Sequence, residues 1–279
     1  MVMKRHKRIA ASATTYIFLI IALVWTIFPV YWMIKSSITV NSEMYVARPS
    51  LIAKHYTFEN YVDLFTKTEF PRALLNSLMI AFLTTVCCLL ISILGSYAMT
   101  RLKYPGRRFF KTSIIFSYLI PTAVLFVPMY VFVSKLGFYD NKWALLIIYP
   151  TTVVPYCCYM LMSYFKAIPY ALEAAALIDG CTRMKSLRYI ITPIALPGIA
   201  VVATFAFTMS WNEYLYAMIM TTSPVQQTAV VAISSFKYAD SAIWGRIMAA
   251  SVLTSLPVTI IYIVAQAQLI SGKSDGSVK

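Results

Sequence analysis

Long apolar runs alternate with short charged ones along this chain, and six of the runs lack Asp, Glu, Lys and Arg altogether: 9–34, 73–100, 112–134, 143–165, 189–212 and 247–272. Each is longer than the roughly 20 residues a helix needs to cross a hydrocarbon core of about 30 Å. The pattern predicts an all-α membrane protein with spans near 13–34, 74–99, 112–134, 143–165, 193–220 and 247–269. A further uncharged stretch, Tyr214 to Phe236, does not read as a span. Its middle, TTSPVQQT, would leave a proline and several amides in lipid, so it is expected mostly outside the membrane once the fifth helix ends near Met220.

The segment 166–192, between the fourth and fifth spans, is charged and Ala-rich. From Pro169 to Ile178 it predicts a short helix: Pro169 suits a first helical position, Ala and Leu favour helix, and Glu173 lies near the positive end of the dipole. Asp179-Gly180 closes that helix, because Gly adopts the left-handed conformation that ends many helices. Thr182 then caps a second short helix through Lys185 and Arg188, which Pro193 and Pro197 end or kink. The product is a helix-turn-helix knob on a membrane surface. In the segment Lys35 to Arg72, Phe58, Tyr61, Val62 and Phe65 recur at helical spacing and predict a short amphipathic surface helix.

Composition agrees with a polytopic membrane protein. The chain is 60% hydrophobic and 12% charged, against about 25% charged in soluble domains. With the N-terminus inside, segments 4–8, 101–111, 166–188 and 273–279 hold 15 of the 24 Lys and Arg residues, so both termini and the knob are expected in the cytoplasm. That bias accounts for the net charge of +14, and no nucleic-acid partner is called for. The basic run at 4–8 resembles a signal-peptide n-region, but the run that follows is too long and lacks a small-residue cleavage site, so an uncleaved first span is expected. Arg101, Lys103, Arg107, Arg108 and Lys111, interleaved with Tyr104, Phe109 and Phe110, form a turn suited to anionic lipid headgroups.

Several chemistries are absent from the sequence. The five cysteines include the adjacent pairs Cys87-Cys88 and Cys157-Cys158, whose side chains point in different directions on a helix and read as small apolar filler, not as a metal site. His6 and His55 lie outside the spans, and no Gly-x4-Gly-Lys-Ser/Thr phosphate loop is present. The chain is therefore not expected to be an enzyme or to hold a metal or cofactor of its own.

The knob carries a resemblance. Its Glu-Ala-Ala, then Gly180, then Ile190 and Pro193, is similar to the loop by which permease subunits of ABC importers of the carbohydrate-uptake (maltose-type) family dock onto an ATP-hydrolysing subunit. The family's Glu would fall at Ala174, one residue after Glu173, and Thr192 replaces its Leu. Further similarities are the Glu-Asn-Tyr at 59–61, Asn76-Ser77, the Pro-Gly-Arg-Arg at 105–108, the Trp-Asn-Glu at 211–213, and the tail with Ser271, Gly272, Gly276 and Lys279. The resemblance implies that Glu173, Ala174, Ala175, Ala176, Asp179, Gly180, Ile190 and Pro193 couple the chain to the ATPase. It implies as partners two ATP-binding subunits that hold ATP and Mg, a second permease, homologous or identical, and an extracellular or periplasmic solute-binding protein. It implies a bacterial inner membrane as the setting.

Two features point to a polar route through the bundle. Pro121, Pro128, Pro150 and Pro155 in the third and fourth spans would each free a backbone carbonyl, which a water-filled cavity can satisfy. Glu213 is the one acid within a span, fifteen residues past Gly198, or roughly 22 Å along a helix, and is expected to face the bundle interior or water. Trp211, Asn212 and Tyr214 beside it supply the flat faces, amides and hydroxyls that suit a sugar. A secondary transporter or channel would instead place paired ionisable groups at mid-membrane, and a non-transporting scaffold would leave the knob without a purpose.

Overall fold

A computed structural model describes residues 2–46, 48–236 and 244–274, with side chains described from Thr15 to Gln266 within those stretches. The side chains of the basic run at 4–8 and of Ser271, together with Lys237, Asp240, Asp275, Gly276 and Lys279, lie outside the described residues. Among the described residues every regular element is helical, and the one isolated bridge pairs Thr39 with Tyr56. Four helices are long and apolar enough to cross a membrane, and two bent helix pairs bring the number to six if each is one span. The chain divides into two compact units, 1–68 with 235–253, and 69–234 with 254–279.

The first unit holds α1 (Val2–Ser37), α2 (Asn41–Met44), α3 (Glu59–Thr66) and the beginning of α14 (Trp244–Ser274). The apolar window of α1 has none of its residues buried, the condition of a helix whose neighbour is lipid or another subunit. Polar groups hold the outer segment together. Buried Asn60 donates its amide to the carbonyls of Ser37 and Thr39 at 3.0 and 3.1 Å, and Arg246 pairs with Asp63 at 2.9 Å. The amphipathic helix predicted around Phe58 to Phe65 is α3. Its inner face is Asn60 and Leu64, however, and Phe58, Val62 and Phe65 are exposed.

The second unit is built on α4 (Phe70–Arg101), α7 (Ala144–Ala167) and α11 (Leu196–Trp211). The buried line on α4 runs Ser77, Ala81, Thr85, Cys88, Ser92, Ser96, nearly all small residues at helical spacing. In a bilayer, where apolar burial gives helices little reason to associate, such a stripe lets backbones approach and pack. Ser96 adds a hydrogen bond across it, to the carbonyl of Cys158 at 3.0 Å. Cys88, Cys157 and Cys158 are buried and Cys87 is exposed, so one of the two pairs turns wholly inward.

Two predicted spans are interrupted. The third consists of α5 (Arg107–Leu119) and α6 (Thr122–Lys135), bent by 99° at Ile120-Pro121. Pro121 has no N–H and forces the residue before it out of the helical region; Ile120 is extended, with ψ of 121°. Pro150 and Pro155 lie inside an unbroken α7. The fifth turns by 82° at Ala195, between Pro193 and Pro197, and breaks again at 212–214 before α12 (Leu215–Met220).

The segment after α12 is a turn and a short helix, α13 (Ala229–Ser235), so no span forms there. Asn76 clips the turn: its amide donates to the carbonyls of Val225 and Gln227, both at 3.0 Å, and its oxygen accepts from Lys142 Nζ at 2.7 Å. Asp140 accepts the Ser223 N–H at 2.8 Å and the Ser223 hydroxyl. Partial burial pushes the Asp140 carboxyl upward, but the hydrogen bonds from Ser223 and Thr222 outweigh it and hold the group below the usual range.

Candidate functional site

The knob is α8 (Tyr170–Ile178) and α9 (Arg183–Ser186), continued by a π-helical turn (Leu187–Ile191) and α10 (Thr192–Ile194). Pro169 precedes the first helix with ψ of 134° and is its cap residue, not its first helical residue. At the other end Gly180 has φ of +83°, its N–H donates to Leu177 O at 3.2 Å, and the Cys181 N–H donates to Ala176 O at 2.9 Å. These are the two bonds of a Schellman close, which satisfy carbonyls that the helix end would leave open. Thr182 caps α9 by accepting the Lys185 N–H at 3.3 Å. The π-helical turn ends at Ile191 and passes directly into α10, whose Pro193 cannot donate.

The knob's two faces divide the residues expected to meet an ATPase. Ala174, Ala175, Asp179, Gly180 and Pro193 are exposed and Ile190 is half-buried. Ala176 is buried, so the outward surface is not the alanine row but Ala174 and Ala175 flanked by Leu172, Leu177 and Ile178, the last 85% exposed. Glu173 also turns inward and is 5% exposed. Its carboxylate accepts the Tyr97 hydroxyl at 2.5 Å and lies 3.8 Å from Arg101 Nε. Arg101 itself is buried, donates through Nη2 to the carbonyls of Phe165 and Ile168, and stacks 4.2 Å from the Tyr170 ring centroid. Sequence reasoning took Arg101 for one more headgroup cation, and no spacing in the sequence marks it as the residue on which three helices meet.

A second locus lies between the two helix breaks. A cavity of about 440 Å³ is lined by Ile120 and Thr122 from one break, by Asn212, Glu213 and Tyr214 from the other, and by hydroxyls of α5 and α7, among them Tyr118, Tyr149 and Thr151. Glu213 caps α12, its two oxygens accepting the N–H groups of Tyr216 at 3.1 Å and Ala217 at 3.2 Å. The Tyr216 hydroxyl crosses to the Thr122 carbonyl at 3.1 Å and ties the breaks together. Trp211 is not part of this wall. It is 2% exposed, stacks on Phe207 at 5.5 Å, and donates its indole N–H to Thr254 O at 3.1 Å. The side chain after α11's last full turn simply points to α14, and Asn212 begins the break. Among the described residues no group of His, Cys, Asp and Glu could hold a metal ion.

A helical bundle with broken spans, a cavity between the breaks that holds one carboxylate, and a capped surface knob defines a class of membrane transport subunit. The chain belongs to the family of binding-protein-dependent transport system inner membrane components, whose pattern matches residues 91–273. It is 34% identical over 279 residues to the inner membrane ABC transporter permease protein YcjP of Escherichia coli strain K12, covering 99% of this chain and 100% of the relative. It is 33% identical to the trehalose/maltose transport system permease protein MalG of Thermococcus litoralis, covering 91% of each. Among solved structures, a chain of a bacterial ABC transporter that imports the acidic polysaccharide alginate superposes with a TM-score of 0.81 at 21% identity, covering 92% of this chain and 95% of that one. The family resemblance carried by the knob motif therefore holds, and the chain is an ABC importer permease, a subunit without ATPase chemistry of its own.

Proposed function

We propose that the chain conducts a sugar or oligosaccharide across a bacterial inner membrane by alternating access. The observation that carries the sugar reading is the cavity between the two helix breaks, whose wall sets tyrosines, threonines, Asn212 and the Glu213 carboxylate among apolar side chains such as Leu125, Val153 and Met209. Aromatic faces suit the C–H surfaces of a pyranose, and the hydroxyls and amide suit its own hydroxyls. The relative MalG, named for trehalose and maltose, points the same way. The chain crosses six times as one permease domain, 1–279, with both termini inside, α5 and α6 forming the third span, α11 and α12 the fifth, and the knob on the cytoplasmic side between the fourth and fifth. A solute-binding protein delivers substrate from outside, a second permease completes the pathway, and two ATP-binding subunits hold ATP and Mg. Their closure moves the knob through its exposed face, Ala174, Ala175 and Ile178, and the bundle switches access by rigid-body motion.

The topology has a direct check. A cysteine at Pro224 is expected to react with an impermeant reagent from outside and one at Lys185 only from inside; labelling of both from one side contradicts the six-span arrangement.

The path has another. Glu213→Gln keeps one acceptor for α12 but removes the charge, and the loss of one charge-assisted hydrogen bond is worth about 1.5–3 kcal/mol. Uptake is expected to fall by about ten- to a hundredfold at low substrate, with the chain still inserted in the membrane. An unchanged rate across substrate concentrations would remove Glu213 from the path.

A further inference from the structure

We infer that Arg101 is a positioning residue which, with Glu173, makes the knob and the inner ends of α4 and α7 a single moving body; the inference rests on the reading that the knob docks an ATP-binding subunit. Between α7 and α8 the backbone is continuous only through Ile168 and Pro169, both extended, with ψ of 125° and 134°. Such a two-residue link is a hinge unless something spans it. Arg101, at the end of α4, spans it. Its Nη2 donates to Phe165 O at 2.5 Å and to Ile168 O at 2.6 Å, which closes the carbonyl end of α7. Its guanidinium lies on the Tyr170 ring at the start of α8, and the Tyr170 hydroxyl returns to Thr100 O at 2.8 Å. One turn along α8, Glu173 stands 3.8 Å from Arg101 Nε while accepting the Tyr97 hydroxyl.

The cost of this arrangement argues that it does more than fill space. Arg101 is buried, and its Nε and Nη1 find no hydrogen-bond partner, the 3.8 Å approach of Glu173 being too long for one. Burying an incompletely bonded charge is unfavourable, and an apolar side chain of like volume often packs as well. What an apolar side chain cannot do is fix α4, the end of α7 and the start of α8 in one register. A push on the exposed face of α8 then turns the spans with it, whereas without the cation the push is absorbed at Ile168-Pro169.

The test uses the complete transporter in vesicles, with its binding protein and with maltose as the probe substrate, and reads ATP hydrolysed per sugar imported. Arg101→Met is expected to retain its ATP-binding subunits and to raise that ratio by about tenfold, Arg101→Lys by less, and Arg101→Met with Glu173→Gln by no more than Arg101→Met alone. An unchanged ratio in Arg101→Met overturns the inference, as do defects that multiply in the double variant. So does loss of the ATP-binding subunits from a folded Arg101→Met chain, which would make Arg101 a docking residue. If Arg101→Met fails to accumulate, Tyr97→Phe removes only the hydroxyl that holds Glu173; a ratio raised about threefold supports the linkage and an unchanged one overturns it. Failure of the unaltered chain to retain ATP-binding subunits, or to import maltose in an ATP-dependent way, would count instead against the docking or substrate reading beneath it.

Discussion

Replacing Gly180 with Val is expected to give a chain that inserts in the membrane yet neither keeps an ATP-binding subunit nor supports uptake. Gly180 holds φ of +83°, and a Cβ built there meets no atom of the chain within 4 Å. The penalty is therefore backbone strain and not a clash inside the chain. A β-branched residue at positive φ costs about 1–3 kcal/mol, enough to open a two-bond close on a nine-residue helix. Releasing Gly180 also releases the Cys181 to Ala176 bond and, with it, the angle between α8 and α9. Insertion depends on span hydrophobicity and is not touched. A graded series follows from the same cause: Asn, which tolerates the left-handed region, is expected to retain most uptake, Ala less, and Val none. Co-purification and uptake in parallel check it; full uptake by the Gly180→Val chain would separate the knob from coupling.

Gly198→Ala is expected to destabilise the second unit strongly for a single added methyl group. A Cβ at Gly198 would lie 2.4 Å from Cγ of Tyr164 and 2.5 and 2.7 Å from its two Cδ atoms. These are the base of a ring and not the tip of a flexible chain, so either the Tyr164 ring leaves its place between the helices or α11 moves from α7. Overpacking of this kind costs about 1–3 kcal/mol, and the upper end is expected here because Gly198 lies in the unit's central helix packing. The measurement is thermal stability of the purified chain in detergent. Gly198→Ala with Tyr164→Ala is expected to recover part of the loss, while Gly198→Ala at unaltered stability would contradict the close approach of the two helices.

The sequence made the membrane architecture legible because lipid punishes charge, and the charge-free runs locate every long apolar helix. The knob was legible because caps are local: Gly180 and Thr182 perform the turn and the cap that their chemistry suggests. The turn at Ala195 falls between Pro193 and Pro197, where the prolines predict a kink, but the breaks at Ile120 and at 212–214 were not legible, since proline alone does not decide them. Pro155 sits in a continuous α7, whereas Pro121 follows an extended Ile120 at a sharp bend. Trp211 reads like a path residue beside Glu213, but the break begins at the next residue and leaves its indole on the inner side with Thr254. Arg101 and Glu173 are far apart in sequence, and only the folding of α8 beneath α4 and α7 brings them together.

The central claim, that this permease moves a sugar when a partner hydrolyses ATP, is tested most directly by uptake of labelled maltose into vesicles holding the chain, its second permease and its ATP-binding subunits. Accumulation is expected only with ATP on the side of the ATP-binding subunits and the binding protein on the other. Equal uptake without ATP, or with the ATP-binding subunits left out, would contradict the account.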